Sequence, residues 1–360
     1  MTKIRNRTPG IDIARAIAML LVVFEHVLRC YNDTFIPIVS EQMMHTIIHA
    51  ISFFHMPVFF LIAGFYMARN YKGESTLSDY SRFQWTKFQR LMIPYFVVCT
   101  LQLAAGIAGG IRNAGDIPNE IYKSIVTPVN GPAGHGWFLV ALMSFFIIWP
   151  ILEYIFRKNC ILIFLTLSIL DIYKNDIGEH LNLDIFQAKV LITYLPVFAI
   201  GVMIGKKIPQ KLLSSGSAQL SVTWPIALLL AYLCIALKTT TLLEDSDLRP
   251  LIYSLASQTG RIFGAVAIIK LSMILPKISA RFAGYIAHIG RYSYGIYLYH
   301  IIAIMILITV ISKLDISDNA AKISSIAVFI IATAMAYTAC RIAQLNKTIA
   351  RLCLGENIKT

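Results

Sequence analysis

The chain has 360 residues, of which 57% are hydrophobic and only 14% are charged, and its mean hydropathy is +0.67. An ordinary soluble domain is about half apolar and about a quarter charged, so this composition excludes one. The formal net charge is +13. The basic residues lie in short clusters between apolar runs of about 20 residues, a pattern typical of membrane-protein loops rather than of a nucleic-acid-binding surface.

A search for apolar stretches long enough to cross a bilayer finds about ten of them along the chain. They are 11–30, 44–66, 92–110, 136–156, 160–173, 189–205, 219–237, 251–275, 290–311 and 323–343. The sequence therefore predicts an all-α, polytopic bundle of about ten transmembrane helices. Residues 1–345 form this transmembrane domain, and 346–360 form a cytoplasmic tail.

The distribution of basic residues predicts the orientation. Placing the N-terminus inside puts about 20 lysines and arginines on the cytoplasmic side and about nine outside, as the positive-inside rule requires. Asp12 and Arg15 interrupt the first apolar stretch, so we interpret it as a retained span rather than a cleaved signal peptide. Both termini are expected in the cytoplasm.

Neither disulfides nor a metal site are expected. The six cysteines form no C-x-x-C pair and no regular ladder. Glu41, His45 and His49 recur every four residues and could face one way as ligands, but a metal site would need a further ligand. No metal is assigned.

The first span carries the clearest chemical candidates. Arg15 and His26 are eleven residues apart, which places them within about 20° of one helix face and roughly 16 Å apart along the axis. This geometry suits a coenzyme A thioester as a donor. The guanidinium could anchor one of its phosphates, and the imidazole could act as a general base or accept the acyl group of the thioester itself. Glu25 adjoins His26, although neighbours on a helix do not face each other. Alternatively, Arg15 snorkels to the interface and His26 only bonds a neighbouring helix.

Five stretches together resemble the acyltransferase family 3 membrane proteins. The first span resembles the family's opening, in which an Arg is followed by ten residues and a His, and the other stretches follow in the family's order. They are 10–26, 53–65 (FFHMPVFFLIAGF), 87–95 (KFQRLMIPY), 135–139 (HGWFL) and 293–300 (SYGIYLYH). Ala63 stands where the family commonly has Ser, and Lys87 where it often has Arg.

The resemblance implies an integral O-acyltransferase of the bacterial inner membrane, surrounded by lipid. It would use acyl-coenzyme A, with acetyl as the expected group, as a donor substrate rather than as a bound cofactor. The acceptor would be a cell-surface or lipid-linked glycan such as O-antigen, capsule or exopolysaccharide. No nucleic-acid partner is expected. His26 and Glu25 would be catalytic, and Arg15, Lys87 and Arg90 would bind the donor.

The remaining candidates would line the acceptor cavity, and each also has a structural explanation. His55 precedes Pro57 near the middle of the second span, where a proline can simply kink the helix. His135 and Trp137 open the fourth span at the outer interface, a common place for Trp. Tyr299 and His300 belong to an aromatic run that could serve packing.

Arg261 and Lys270 in the eighth span are nine residues apart and share a face, so they could extend the donor path.

Two other functions compete with the acyltransferase. A secondary transporter could use the same buried His and Arg residues as a proton or anion relay. We recognise no internal repeat of the kind that inverted-topology transporters carry. A flippase-like or structural glycan-assembly protein would need no base at His26.

Overall fold

The structure is a computed structural model that describes residues 8–70, 76–110, 112–155, 160–180, 185–207, 219–239, 248–314 and 316–356. These residues form fourteen α-helices joined by turns and short 3-10 segments. The helices are α1 Pro9–Thr34, α2 Glu41–Ser52, α3 His55–Asn70, α4 Leu77–Ala108, α5 Ile117–Val126, α6 Trp137–Ile155, α7 Cys160–His180, α8 Ala188–Lys207, α9 Gln219–Thr239, α10 Arg249–Ile278, α11 Ala280–Arg291, α12 Ser293–Ile311, α13 Asp318–Ala343 and α14 Lys347–Leu354. The all-α prediction is confirmed for the described residues.

Six segments are long and apolar enough to cross a membrane. They are Glu41–Asn70, Leu77–Ala108, Gly134–Tyr154, Ile185–Lys207, Ser293–Ile311 and Asp318–Ala343. The other four predicted spans coincide with α1, α7, α9 and α10, which are helical but are not among the six. The count of ten spans and the cytoplasmic termini therefore stay predictions.

Three stretches that lie between predicted spans contain helices. The stretch 67–91, between the second and third spans, is helical from Leu77, where Thr76 caps the helix by accepting a hydrogen bond from the backbone N–H of Asp79. The stretch 111–135, between the third and fourth spans, contains α5. The basic stretch before the ninth span forms α11, which Ser279 caps in the same way. Polar residues on amphipathic helices hid these elements from a search for apolar runs.

The predicted second span is two helices rather than one. A turn at Phe53–Phe54 separates α2 from α3, so His55 and Pro57 lie at the beginning of α3 and not near the middle of a continuous helix. A proline in the first turn of a helix breaks no backbone hydrogen bond within it. Gly264 of α10 faces the carbonyl group of Phe53, and a side chain there would overlap it.

The chain divides into two compact units. The first unit comprises Met1–Phe59, Ile208–Ala236 and Thr259–Ile342, and the second comprises Phe60–Lys207, Leu237–Gln258 and Ala343–Thr360. In the first unit α1 packs mainly against α11 and α12. Gly290, at the end of α11, lies against the backbone of Asp12 so closely that any side chain would overlap it. Tyr31 hydrogen-bonds Ser324 at 2.8 Å, and Phe24 meets Phe329, so α1 and α13 run antiparallel.

The second unit is built around α3, α4, α6 and α8. Phe60 lies at the centre of an aromatic cluster with Phe138, Phe145 and Tyr194, with ring centroids 4.9 to 5.0 Å apart. In the segment predicted as a tail, α14 packs against α4, and Gly355 ends it with a left-handed φ of 59° beside the carbonyl group of Arg90. Tight packing thus continues past the last predicted span.

Candidate active site

His26 lies on the half-buried face of α1 and meets His300 of α12. Its Nδ1 atom is 2.9 Å from the carbonyl oxygen of Val22, one turn earlier, and 3.3 Å from Nε2 of His300. The two rings meet edge to face with centroids 4.9 Å apart. His300 is fully buried, and its Nδ1 is 2.7 Å from the carbonyl oxygen of Tyr297. Both imidazoles belong to the first unit.

The carbonyl contacts determine where the ring protons lie. A carbonyl oxygen only accepts, so Nδ1 of His26 must carry the proton that it donates to Val22. The Nδ1 atom of His300 donates to Tyr297 for the same reason. The Nε2 atom of His300, which faces the Nδ1–H of His26, is then an acceptor. In the neutral ring of His26 the lone pair consequently lies on Nε2, the atom that a general base needs.

Glu25 belongs to a second polar group beside the two histidines. One carboxylate oxygen, Oε1, accepts from Nε of Arg29 at 3.0 Å and lies 2.9 Å from its Nη2. The other, Oε2, lies 3.1 Å from Nε2 of His55, an ion-pair distance whose alignment falls short of a hydrogen bond. The Nδ1 atom of His55 donates to the carbonyl oxygen of Ile51 at 2.8 Å. Glu25 thus contacts Arg29 and His55, and a role in the chemistry stays a prediction.

The Glu25 carboxylate is 8% exposed, and a buried charge needs compensation. Arg29 provides a positive charge 2.9 Å away, and His55 adds to it when its ring is protonated.

Arg29 is the residue of this site that the sequence analysis missed. Its signal was available, because Glu25 and Arg29 have the i,i+4 spacing of a helical ion pair. Glu25 contacts the residue one turn further on, Arg29, rather than its neighbour along the chain, His26.

The predicted donor-binding residues occupy both units. Arg15 is half-buried on α1, about three turns before His26 on the same continuous helix. In the second unit Arg90 is exposed on α4. Lys87, one turn earlier, lies over the rings of Phe83 and Phe146 at 5.1 and 4.5 Å. A cation held on aromatic faces is already partly stabilised by packing, so Arg90 is the more accessible of the pair.

The predicted acceptor residues are likewise divided. His55, Tyr299 and His300 belong to the first unit, with Tyr299 half-buried on α12. His135 and Trp137 belong to the second, where His135 lies in a 3-10 turn and Trp137 begins α6. The Trp137 ring stacks on Tyr194, with centroids 6.0 Å apart and planes inclined by 28°.

The three side chains that were considered as metal ligands and set aside, Glu41, His45 and His49, have other contacts. His45 pairs with Glu41 at 3.6 Å on the exposed side of α2, and the ring of His49 meets that of Phe53 edge to face. Among the residues that the structure describes, no three His, Cys, Asp or Glu side chains cluster as metal ligands would. For Arg261, also proposed for the donor path, the guanidinium lies 6.0 Å from the ring of Phe53.

The second unit has a buried polar network that the sequence analysis did not anticipate. Asp171 of α7 binds Lys174 at 2.6 Å and accepts from Thr193 at 2.9 Å and from Ser254 at 3.1 Å. Lys174 also donates to Thr193. Every member has a partner within the network, so it joins α7, α8 and α10 in the way that interhelical hydrogen bonds join membrane helices.

Comparison with known proteins assigns the family. A family model described as an acyltransferase domain matches residues 8–343, nearly the whole chain. The chain belongs to acyltransferase family 3. No curated protein and no solved structure matches it.

Membership in acyltransferase family 3 and the six apolar helices make the protein a membrane acyltransferase. The transporter alternative is not favoured, because the family match accounts for nearly all of the chain. His26 on α1 and His300 on α12 both lie within the matched region of this family 3 acyltransferase.

Proposed function

We propose that this protein is an O-acyltransferase that transfers an acyl group, expected to be acetyl, from acyl-coenzyme A to a hydroxyl of a glycan. The observation that supports this most directly is the 2.9 Å contact of His26 Nδ1 with the carbonyl oxygen of Val22, from which we infer that the proton is on Nδ1 and the lone pair on Nε2. An imidazole in this tautomer on a half-buried face of α1 has the properties of a general base for a sugar hydroxyl.

The proposed reaction conserves atoms and protons. The hydroxyl oxygen of the acceptor attacks the thioester carbonyl while Nε2 of His26 takes its proton. The tetrahedral intermediate collapses, the carbon–sulfur bond breaks, and the protonated His26 returns the proton to the departing thiolate of coenzyme A. Alternatively, His26 is acylated first and passes the group on. In both routes the net products are an ester and free coenzyme A.

Charged residues would hold the donor, and aromatic residues the acceptor. Arg15, Lys87 and Arg90 offer guanidinium or ammonium groups to the phosphates of coenzyme A. Trp137 presents an aromatic face of the kind on which sugar rings stack, and its partner Tyr194 holds that face in place. Surface or lipid-linked saccharides of a bacterial inner membrane fit an enzyme that meets its donor in the cytoplasm and its acceptor at the other side.

The test is acyl transfer by the full chain in nanodiscs. Wild type and His26→Ala are supplied with labelled acetyl-coenzyme A and with lipid-linked glycans extracted from the source cells, and glycan acylation is measured by mass spectrometry. A positioned general base contributes about 10²–10⁴-fold, so His26→Ala should lose at least about 100-fold in rate.

The matched control for this test is His45→Ala, which removes an exposed imidazole outside the site. It should transfer at the wild-type rate. Near-normal transfer by His26→Ala at equal accumulation would rule out both the base and the acyl-carrier roles.

A further inference from the structure

The geometry points to His300 as the residue that positions the base: we infer that its Nε2 atom accepts the Nδ1–H of His26 and thereby holds the catalytic tautomer. This inference rests on the proposed function, because it assigns a partner to the base proposed there. It also moves His300 out of the acceptor cavity, where the sequence analysis placed it.

His300 has a fixed orientation. Its ring is fully buried, and Nδ1 donates to the carbonyl oxygen of Tyr297 at 2.7 Å, with that of Ile296 at 3.2 Å. The ring of Tyr297 lies against it, with centroids 5.9 Å apart. An imidazole held in this way presents Nε2 in a single direction, and that direction is toward His26.

His26 needs a hydrogen-bond acceptor on another helix. Its Nδ1–H is shared between Val22 and His300, at 2.9 and 3.3 Å. The bond to Val22 within the same helix does not by itself fix the ring against a substrate. A contact from α12 constrains the ring from a second direction, and it also favours the protonated ring that forms during catalysis, because the Nδ1–H donates more strongly when the ring is charged.

Glu25 does not position His26. Glu25 is the nearest carboxylate along the chain, and a carboxylate is the usual partner of a catalytic imidazole. Its two oxygens instead contact Arg29 and His55. Glu25 contributes charge near the site, whereas His300 contacts His26 directly from another helix.

Two substitutions separate the atoms of His300. In His300→Gln the amide oxygen reaches the position of Nε2 and can accept from His26. In His300→Asn the amide reaches only the position of Nδ1, so it can donate to Tyr297 but not contact His26. The two variants have the same chemistry and differ only in reach.

The expected result is a separation of kcat from KM. His300→Asn should lose about 10–100-fold in kcat, less than the roughly 10⁴-fold loss that follows when a charged orienting carboxylate is neutralised. His300→Gln should remain within about 5-fold of wild type, the effect of one weakened hydrogen bond. The KM for acetyl-coenzyme A should be unchanged in both. Rates are divided by the folded fraction from size-exclusion chromatography, so that a low yield still gives a rate.

Two outcomes overturn the inference: equal losses in the Gln and Asn variants, or wild-type kcat in the Asn variant. Both are read beside His26→Ala. If His26→Ala is inactive while His300→Asn is fully active, only the positioning role fails. If His26→Ala is itself active, the proposed base fails, and the positioning role of His300 fails with it.

Discussion

Removing the Glu25 carboxylate should destabilise the protein, because Glu25 loses its contacts with both His55 and Arg29. The side chains of Glu25 and His55 are 10% and 7% exposed, so their contact is buried, whereas the side chain of Arg29 is 42% exposed and can rehydrate. Breaking a buried charge pair costs about 3–5 kcal/mol, and losing a largely exposed one costs about 1 kcal/mol or less. Because the Glu25–His55 contact is imperfectly aligned, we expect a total of about 3 kcal/mol for Glu25→Ala.

The measurement is unfolding by SDS titration in mixed micelles, for Glu25→Ala, His55→Ala and the double variant. A direct contact predicts that the double variant loses less than the sum of the single ones, by about 1–2 kcal/mol. Glu41→Ala, which removes an exposed carboxylate from an ion pair with His45, is the control and should change stability by less than about 0.5 kcal/mol. Additive losses, or a Glu25→Ala protein as stable as this control, would refute the buried pair.

Two further predictions concern the donor and the topology. Arg15→Ala and Arg90→Ala should weaken binding of labelled acyl-coenzyme A without reducing membrane insertion, since each removes a cation available to phosphate; unchanged affinity in both would leave them as membrane anchors. Reporter fusions at Thr360 and near Asn119 should report opposite sides of the membrane, because the basic residues concentrate on one side, and identical readouts would contradict the topology.

The apolar spans were predictable because their signal is local. Runs of apolar residues at 92–110, 136–156 and 323–343 coincide with helices long enough to cross a bilayer. The turn at Phe53–Phe54 was not predictable, because it depends on tertiary contacts such as the fit of Gly264 against the Phe53 backbone. Amphipathic α11 was missed because half of its surface is polar.

For the site, the sequence singled out His26, Glu25, His55 and His300 but not their pairing. Residues 26 and 300 are far apart in the chain, and nothing local indicates that α1 and α12 are neighbours. Neighbouring residues on a helix do not face each other, which argued against a Glu25–His26 contact. In the structure the Glu25 carboxylate contacts Arg29 and His55. The roles of these residues in catalysis stay predictions.

Because of the turn at Phe53–Phe54, the rotation of α2 about its helix axis does not determine the rotation of α3. In an unbroken helix an inserted residue turns everything beyond it by about 100°, which would carry a side chain away from its partner. Here His55 begins α3, and its ring also donates to the carbonyl oxygen of Ile51 in the last turn of α2. A length change in α2 ahead of Ile51 would alter how Met44 and Ile48 pack on Leu28, while His55 would still face Glu25. The α2 half can therefore vary in length, whereas α3 must keep its register.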